Sequence, residues 1–247
     1  DRGVVAIGEY PRAASVRGLH IHGQLARLDL REWLAEGRRG NREVGLGERV
    51  RTIDLGIDNL YAVGQRFTNQ HVTIDRSGLD WVIRMSGREA EGISTVPYDL
   101  TGERPMTLDM DWLTLPGSED TVAATKSSPL DPRTLPAISI RATEFALGER
   151  HFGQLEAEFE RSPRGLESTR LETSDDSFVV SGSAGWVIDA YEESGQRTWV
   201  DAVLRSTDVQ ATAQQLQYDP GIISDSMEVQ LNIAWPGGPR RDFMGGL

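Results

Sequence analysis

The sequence contains no cysteine, which excludes disulfide staples, cysteine-ligated zinc and thiol catalysis while leaving reducing and oxidising compartments both open. It has a single lysine, Lys126, so its 26 basic residues are otherwise all arginine. With no basic cluster along the chain, that bias reads as a GC-rich bacterial genome rather than as phosphate recognition. Positive charge is scarce altogether. A net charge of -12 and an isoelectric point near 4.8 repel nucleic acid and anionic bilayer surfaces, and nucleic acid is excluded as a partner. No run of about 18 apolar residues is present, so no membrane-crossing helix is expected. The opening Asp1-Arg2-Gly3 is neither a methionine start nor a leader, and the chain reads as a processed or excised piece of something longer. Hydrophobic residues make up only 38%, lean for a thick core and suited to a thin or open architecture.

What is present is period-two alternation. Met227, Val229, Leu231, Ile233 and Trp235 alternate with Glu228, Gln230, Asn232 and Ala234, the pattern of a strand with one apolar and one solvated face. Similar alternation recurs in at least five other places, and strands of this kind pair antiparallel with one face wet. Turn signals such as Arg76-Ser77-Gly78, Ser162-Pro163-Arg164-Gly165 and the stretch from Glu192 to Gly195 come at meander spacing. The chain is therefore all-β. Helical periodicity is confined to Asp29 to Glu36 and Asp208 to Tyr218, each opened by an aspartate able to cap it.

A long polar segment, Pro116 to Pro136, reads as a loop between two sheet segments. A weak repeat spans it: Ile53, Leu55, Ile57, Leu60 and Phe67 recur 85 residues later as Ile138, Ile140, Ala142, Phe145 and Phe152. The organisation expected is one continuous segment, residues 1–247, with repeats over 50–115 and 135–206. A chance match between alternating strands is the alternative.

Candidate chemistry is thin. Asp109 and Asp111 share a strand face but alternate with Leu108, Met110 and Trp112, which puts them in solvent rather than in the apolar cleft a glycosidase acid needs. Asp175-Asp176 reads as a turn. His20 and His22 share a face, but a metal site needs a third ligand, and nothing in the sequence brings His71 or His151 near. Ser181 to Gly185 only brushes the nucleophile-elbow pattern and lies within a strand. Catalytic residues, metal and cofactor are all expected to be absent. Six tryptophans, Trp33, Trp81, Trp112, Trp186, Trp199 and Trp235, suggest sugar-stacking platforms, although several share parity with aliphatic neighbours.

Three stretches carry a resemblance. They are Gly18-Leu19-His20-Ile21-His22-Gly23-Gln24-Leu25 with the following Leu28-Asp29-Leu30-Arg31-Glu32-Trp33-Leu34, the region from Leu135 through Gly148 to Leu155-Glu156, and Leu204 to Val209 joined to Leu231-Asn232-Ile233-Ala234-Trp235-Pro236-Gly237. They resemble the YhdP-like proteins of the AsmA superfamily, bacterial envelope proteins with an inner-membrane anchor and a periplasmic β-groove body. The resemblance implies a fragment of the periplasmic body with the anchor absent, and a role in moving phospholipid between inner and outer membranes through partners of the full-length protein.

The residues alone leave a sandwich, a barrel or a curled groove open. Taken with the resemblance, they point to a curved, extended antiparallel sheet forming an open hydrophobic groove, with one or two short helices. Its lining for acyl chains would be Leu19, Ile21 and Leu25; Leu79, Trp81, Ile83 and Met85; Leu108, Met110 and Trp112; Ile138 and Ile140; Val200 and Leu204; and Met227, Val229, Leu231 and Ile233. The alternatives are a β-sandwich module of the envelope holding carbohydrate, and an enzyme whose site alternation conceals.

Overall fold

A computed structural model describes residues 2–8, 18–29, 50–62, 65–100, 102–115, 130–218, 221 and 224–239. Strands dominate: β1 (Arg2–Ile7), β2 (Gly18–Leu25), β3 (Leu28–Asp29), β4 (Val50–Ala62), β5 (Gln65–Ser77), β6 (Asp80–Ser86), β7 (Ala90–Pro97) and β8 (Met106–Leu115) come first. They are followed by β9 (Ile138–Leu147), β10 (Arg150–Ser162), β11 (Gly165–Ser174), β12 (Phe178–Ile188), β13 (Gln196–Ser206), the helix α1 (Val209–Gln215) and β14 (Met227–Pro236). All fourteen strands belong to one sheet, ordered β1-β2-β4-β5-β6-β7-β8-β9-β10-β11-β12-β13-β14, with β3 beside the end of β4. The sheet is open and curved, as a groove requires. A sandwich needs two facing sheets, and every described strand belongs to this one sheet.

The sheet is mixed rather than antiparallel throughout. β1 with β2, β2 with β4, β3 with β4, and β8 with β9 pair in parallel. Parallel partners need a connection long enough to carry the chain back to the start of the next strand, and the polar segment from Pro116 to Pro136 supplies one between β8 and β9. Two antiparallel meanders result, β4 to β8 and β9 to β13, each entered through a parallel junction. One lip of the sheet carries the β5–β6, β10–β11 and β12–β13 turns. The other carries the β4–β5, β6–β7, β9–β10 and β11–β12 turns together with α1.

The expected helix after Asp208 is present as α1. The Asp208 side chain accepts a hydrogen bond from the Ala211 amide at 3.0 Å, closing one of the amides that a helix start leaves open. Thr212, fully buried, anchors the helix to the sheet through Ser206 Oγ (2.9 Å) and Ser177 O (3.2 Å). The other expected helix, from Asp29 to Glu36, lies outside the described residues apart from Asp29 itself, as does Trp33.

The hairpin β6–β7 is short, so the half of β5 nearest the second lip projects past its partner. Glu89, in the turn after β6, stands in for the missing strand. Its carboxylate accepts from the Thr68 amide (3.0 Å), the Thr68 hydroxyl (2.6 Å) and Gln70 Nε2 (3.1 Å), while its carbonyl accepts from the Thr114 amide (2.6 Å). Buried backbone groups need partners wherever a ladder stops. Glu89→Ala should therefore lower stability by about 2 kcal/mol in urea unfolding, because the Thr68 amide and the Gln70 side chain lose their acceptor; Glu89→Gln, which keeps one oxygen, should lose less.

Candidate functional site

The strand register aligns one apolar row across the whole sheet. Val5 pairs with Ile21, Ile21 with Ile53, Ile53 with Ile74, and Ile74 with Ile83. The row continues through Ser94, Leu108, Ile140 and Ala157, then Leu171, Gly182, Ala202 and Leu231. Directly opposed residues in a sheet share a face, so these thirteen positions lie on one side, and Ser94 alone among them is polar.

A second row runs two residues nearer the second lip: Ile7, Gly23, Leu55, Val72, Met85, Gly92, Met110, Ala142, Leu155, Thr173, Val180, Leu204 and Val229. At about 4.8 Å between strands, this two-row stripe extends about 58 Å along the arc of the sheet. The opposite face carries a charged row in the same register, in which Asp109 opposes Arg141 and Arg141 opposes Glu156. Ion pairs there include Arg84–Asp75 and Arg170–Glu156, both 2.7 Å, and Arg205–Glu228 at 2.9 Å. All of these are exposed pairs and contribute little to stability.

Most of the residues expected from the sequence fall on the stripe or beside it. Met110 is buried, and Leu19, Ile21, Leu25, Trp81, Ile83, Met85, Leu108 and Ile140 are half-buried against the same apolar cluster. Leu204 is buried in a second cluster that Met227 and Val229 pack against. Ile138 lies opposite Met106 and Phe159 at the first lip. Val200, Leu231 and Ile233 are half-buried over a stretch where their neighbours are Gly182, Ala184 and Ala202.

Two expected residues do not join the stripe. Leu79 sits in the β5–β6 turn, 69% exposed and outside any strand. Trp112 pairs with Glu91 and Glu144 on the charged face, its indole N–H donating to the Arg88 carbonyl at 3.2 Å. The cause is a bulge: Gly92 opposes Met110 while Glu91 opposes Trp112, so Asp111 is the extra residue and strict alternation fails beyond it. Leu113 takes the place on the apolar face that alternation assigns to Trp112.

The sequence reading omitted the most enclosed part of the lining. Ile53, Leu55, Ile57, Leu60, Phe67 and Val72 are all buried on the apolar face. Their signal is the two-residue spacing of Ile53, Leu55 and Ile57, legible in the repeat. Leu155 and Ala157, alternating with Glu156 and Glu158 on β10, were equally legible.

Among the described residues, two pieces of chain pack onto the stripe in its second half. At the second lip Leu216, just after α1, is buried against Phe178 and Leu204, with Phe152 and Val180 packed alongside. At the first lip Gln196 links Trp186 Nε1 (2.9 Å) to the Leu130 carbonyl (2.8 Å). The residues after Leu130 form a single helical turn, Pro132–Thr134, in which the Asp131 carboxylate holds Arg133 and raises its pKa above the ordinary value.

The polar candidates are dispersed. Asp109 and Asp111 are exposed on β8, and Asp175 and Asp176 lie between β11 and β12. His22 is level with Asp54 across the β2–β4 pair, and His71 Nε2 approaches Asp54 at 3.1 Å. The topology therefore brings in a third histidine that sequence spacing could not, yet no group among the described residues is arranged to hold a metal ion. Trp186 is buried, which takes its ring out of a sugar's reach, and Trp235, half-buried, donates its N–H to the Gly238 carbonyl at 3.0 Å. No helix among the described residues is long and apolar enough to cross a membrane.

An open, curved sheet with one largely apolar face and one charged face defines a β-groove protein. The chain belongs to the YhdP family, described as YhdP protein, whose profile matches residues 1–242. No curated protein and no solved structure matches it.

Exposure divides the stripe into supporting and accessible positions. Ile57, 1% exposed, should not accept a charge: Ile57→Asp is expected to cost about 4 kcal/mol or more. Leu231→Asp, in the open stretch, should cost about 1 kcal/mol and leave the far-ultraviolet circular dichroism unchanged.

Proposed function

We propose that the chain is a non-enzymatic phospholipid conduit in which acyl chains lie along the apolar stripe while the charged face stays in water. The observation that carries this reading is the continuity of both rows, apolar but for Ser94 and Thr173, through every strand pair, parallel junctions included. A core residue serving only the fold has no need of such continuity, because each meander could bury its own face locally. Membership of the YhdP family supports a lipid-transport role in the bacterial envelope. The finer assignment is transfer between inner and outer membranes, with the chain acting in the periplasm as part of a longer, inner-membrane-anchored protein that supplies the membrane partners.

The energetics favour such a role without a dedicated recognition motif. Each methylene removed from water contributes about 0.8 kcal/mol, so two acyl chains give ample retention. Retention spread evenly along a stripe also leaves no deep local minimum to impede movement. The two meanders, residues 50–115 and 135–206, are read as successive units of one continuous groove segment.

Purification from bacterial membranes under mild conditions, followed by native mass spectrometry, should recover the chain with phospholipid bound. Leu231→Asp should lose that lipid and the uptake of a fluorescent phospholipid while remaining folded. Recovery of lipid-free protein that takes up no fluorescent lipid contradicts the reading.

A further inference from the structure

On the charged face, toward the β14 edge of the sheet, one indole is set among small and polar side chains. Trp199 on β13 lies directly opposite Gly185 on β12 and Ala234 on β14. It shares this face with Arg205 on the same strand, whose partner there is Glu228, because the pairing of β13 runs without a bulge and faces alternate. The indole rests on the glycine: a β-carbon built at Gly185 would come within 2.5, 2.7 and 2.9 Å of its Nε1, Cε2 and Cζ2 atoms. The indoles of Trp112, Trp186 and Trp235 donate to the Arg88 carbonyl, the Gln196 side chain and the Gly238 carbonyl. The Trp199 N–H has no partner among the described residues and is open to solvent, and the side chain is part-exposed. One step along the same three strands, Ser183, Asp201 and Asn232 oppose one another on the same face. Asp201 and Asn232 are exposed and Ser183 is part-exposed, and no side chain among the described residues engages any of the three.

We infer that this patch is a binding site for a neutral, β-linked glycan chain, with Trp199 as the platform for one pyranose ring. The inference is independent of the conduit reading, since it uses the opposite face of the sheet. A pyranose presents axial C–H bonds on its flat side, and the electron-rich face of an indole attracts them. Its rim carries hydroxyl groups, which need both donors and acceptors. Ser183 and Asn232 supply both kinds, Asp201 accepts, and the Trp199 N–H donates. These three side chains stand about 7 Å from Trp199 along and across the strands, where the rim of a stacked sugar and the next unit of the chain fall. Gly185 and Ala234, directly beside the indole, are too small to screen it. A β-linked chain is extended, as the sheet surface is. Asp201 and the net charge of -12 disfavour an acidic glycan. A single indole among polar side chains is also far below the area that a protein partner needs.

Titration of the chain with chitotetraose, followed by calorimetry and by saturation-transfer NMR, tests the site. The wild type should bind with a Kd of about 1 mM or tighter, with the strongest transfer to the axial C–H protons of the sugar. Trp199→Ala should weaken binding about tenfold or more, and Asn232→Ala about threefold. Trp199→Phe, which keeps a smaller ring, should fall between the wild type and Trp199→Ala. Asn232 is exposed on an edge strand, so its variant reads the site on a folded chain even where Trp199→Ala, by uncovering Gly185, lowers the melting temperature. Saturating dihexanoylphosphatidylcholine should leave the sugar affinity unchanged, because the lipid belongs to the other face. Absence of chitotetraose binding means that the indole only covers Gly185, and overturns the site. Binding that survives both alanine variants, or that the lipid abolishes, overturns it as well. Sugar binding with the expected losses supports the site even where the lipid itself fails to bind, a result that would count against the conduit alone.

Discussion

Everything else in this molecule depends on strand register. A strand that slips by one residue turns its whole apolar set to the other face, so two apolar rows that traverse thirteen paired strands require every pairing to be in phase. The parallel junctions are the vulnerable points, because no tight turn fixes their register. Here the apolar pairs themselves hold it: Ile21 against Ile53 at one junction, Leu108 against Ile140 at the other. The irregularities are also in step. Near the second lip the apolar spacing lengthens from two to three residues on β4 (Ile57 to Leu60), β8 (Met110 to Leu113) and β9 (Ala142 to Phe145). Asn69 and Gly153 on the following strands adopt positive φ, 48° and 72°, which accommodates the change. Because neighbouring strands shift together, the apolar face continues to the lip through Leu60, Phe67, Leu113 and Phe145, broken by the buried Gln70 opposite Ile57.

That same shift explains what the sequence could and could not disclose. Alternation was sufficient for the all-β class and for the faces of β2, β6, β13 and β14, where the period is strictly two. The polar segment after Leu115 was legible as a loop, but the parallel pairing it permits was not, since pairing direction leaves no trace in the pattern of a single strand. The two-two-three spacing was written twice, in Ile53 to Leu60 and in Ile138 to Phe145. Strict alternation on β8 nevertheless selected Trp112 over Leu113, because the bulge at Asp111 has no compositional marker. Leu79 failed for a different reason, as Gly78 draws it into the turn.

The covered and uncovered parts of the stripe correspond to two ways of managing apolar surface. Small residues such as Gly182, Ala184 and Ala202 leave Val200, Leu231 and Ile233 half-exposed, where a closed core would have filled the space with larger side chains. Among the described residues, Leu216 and the turn after Leu130 cover the lips of the second meander. On the conduit proposal, a lipid occupant would add apolar contact over the open stretch between them.

The central claim is most directly tested by installing a photoreactive phenylalanine analogue at adjacent positions on the two faces, Ile83 and Val229 on the apolar side, Arg84 and Gln230 on the charged side, and irradiating the chain in bacterial membranes. The account predicts phospholipid adducts from Ile83 and Val229 and none from Arg84 and Gln230. Adducts of equal yield from both faces, or none from the apolar face, would contradict it.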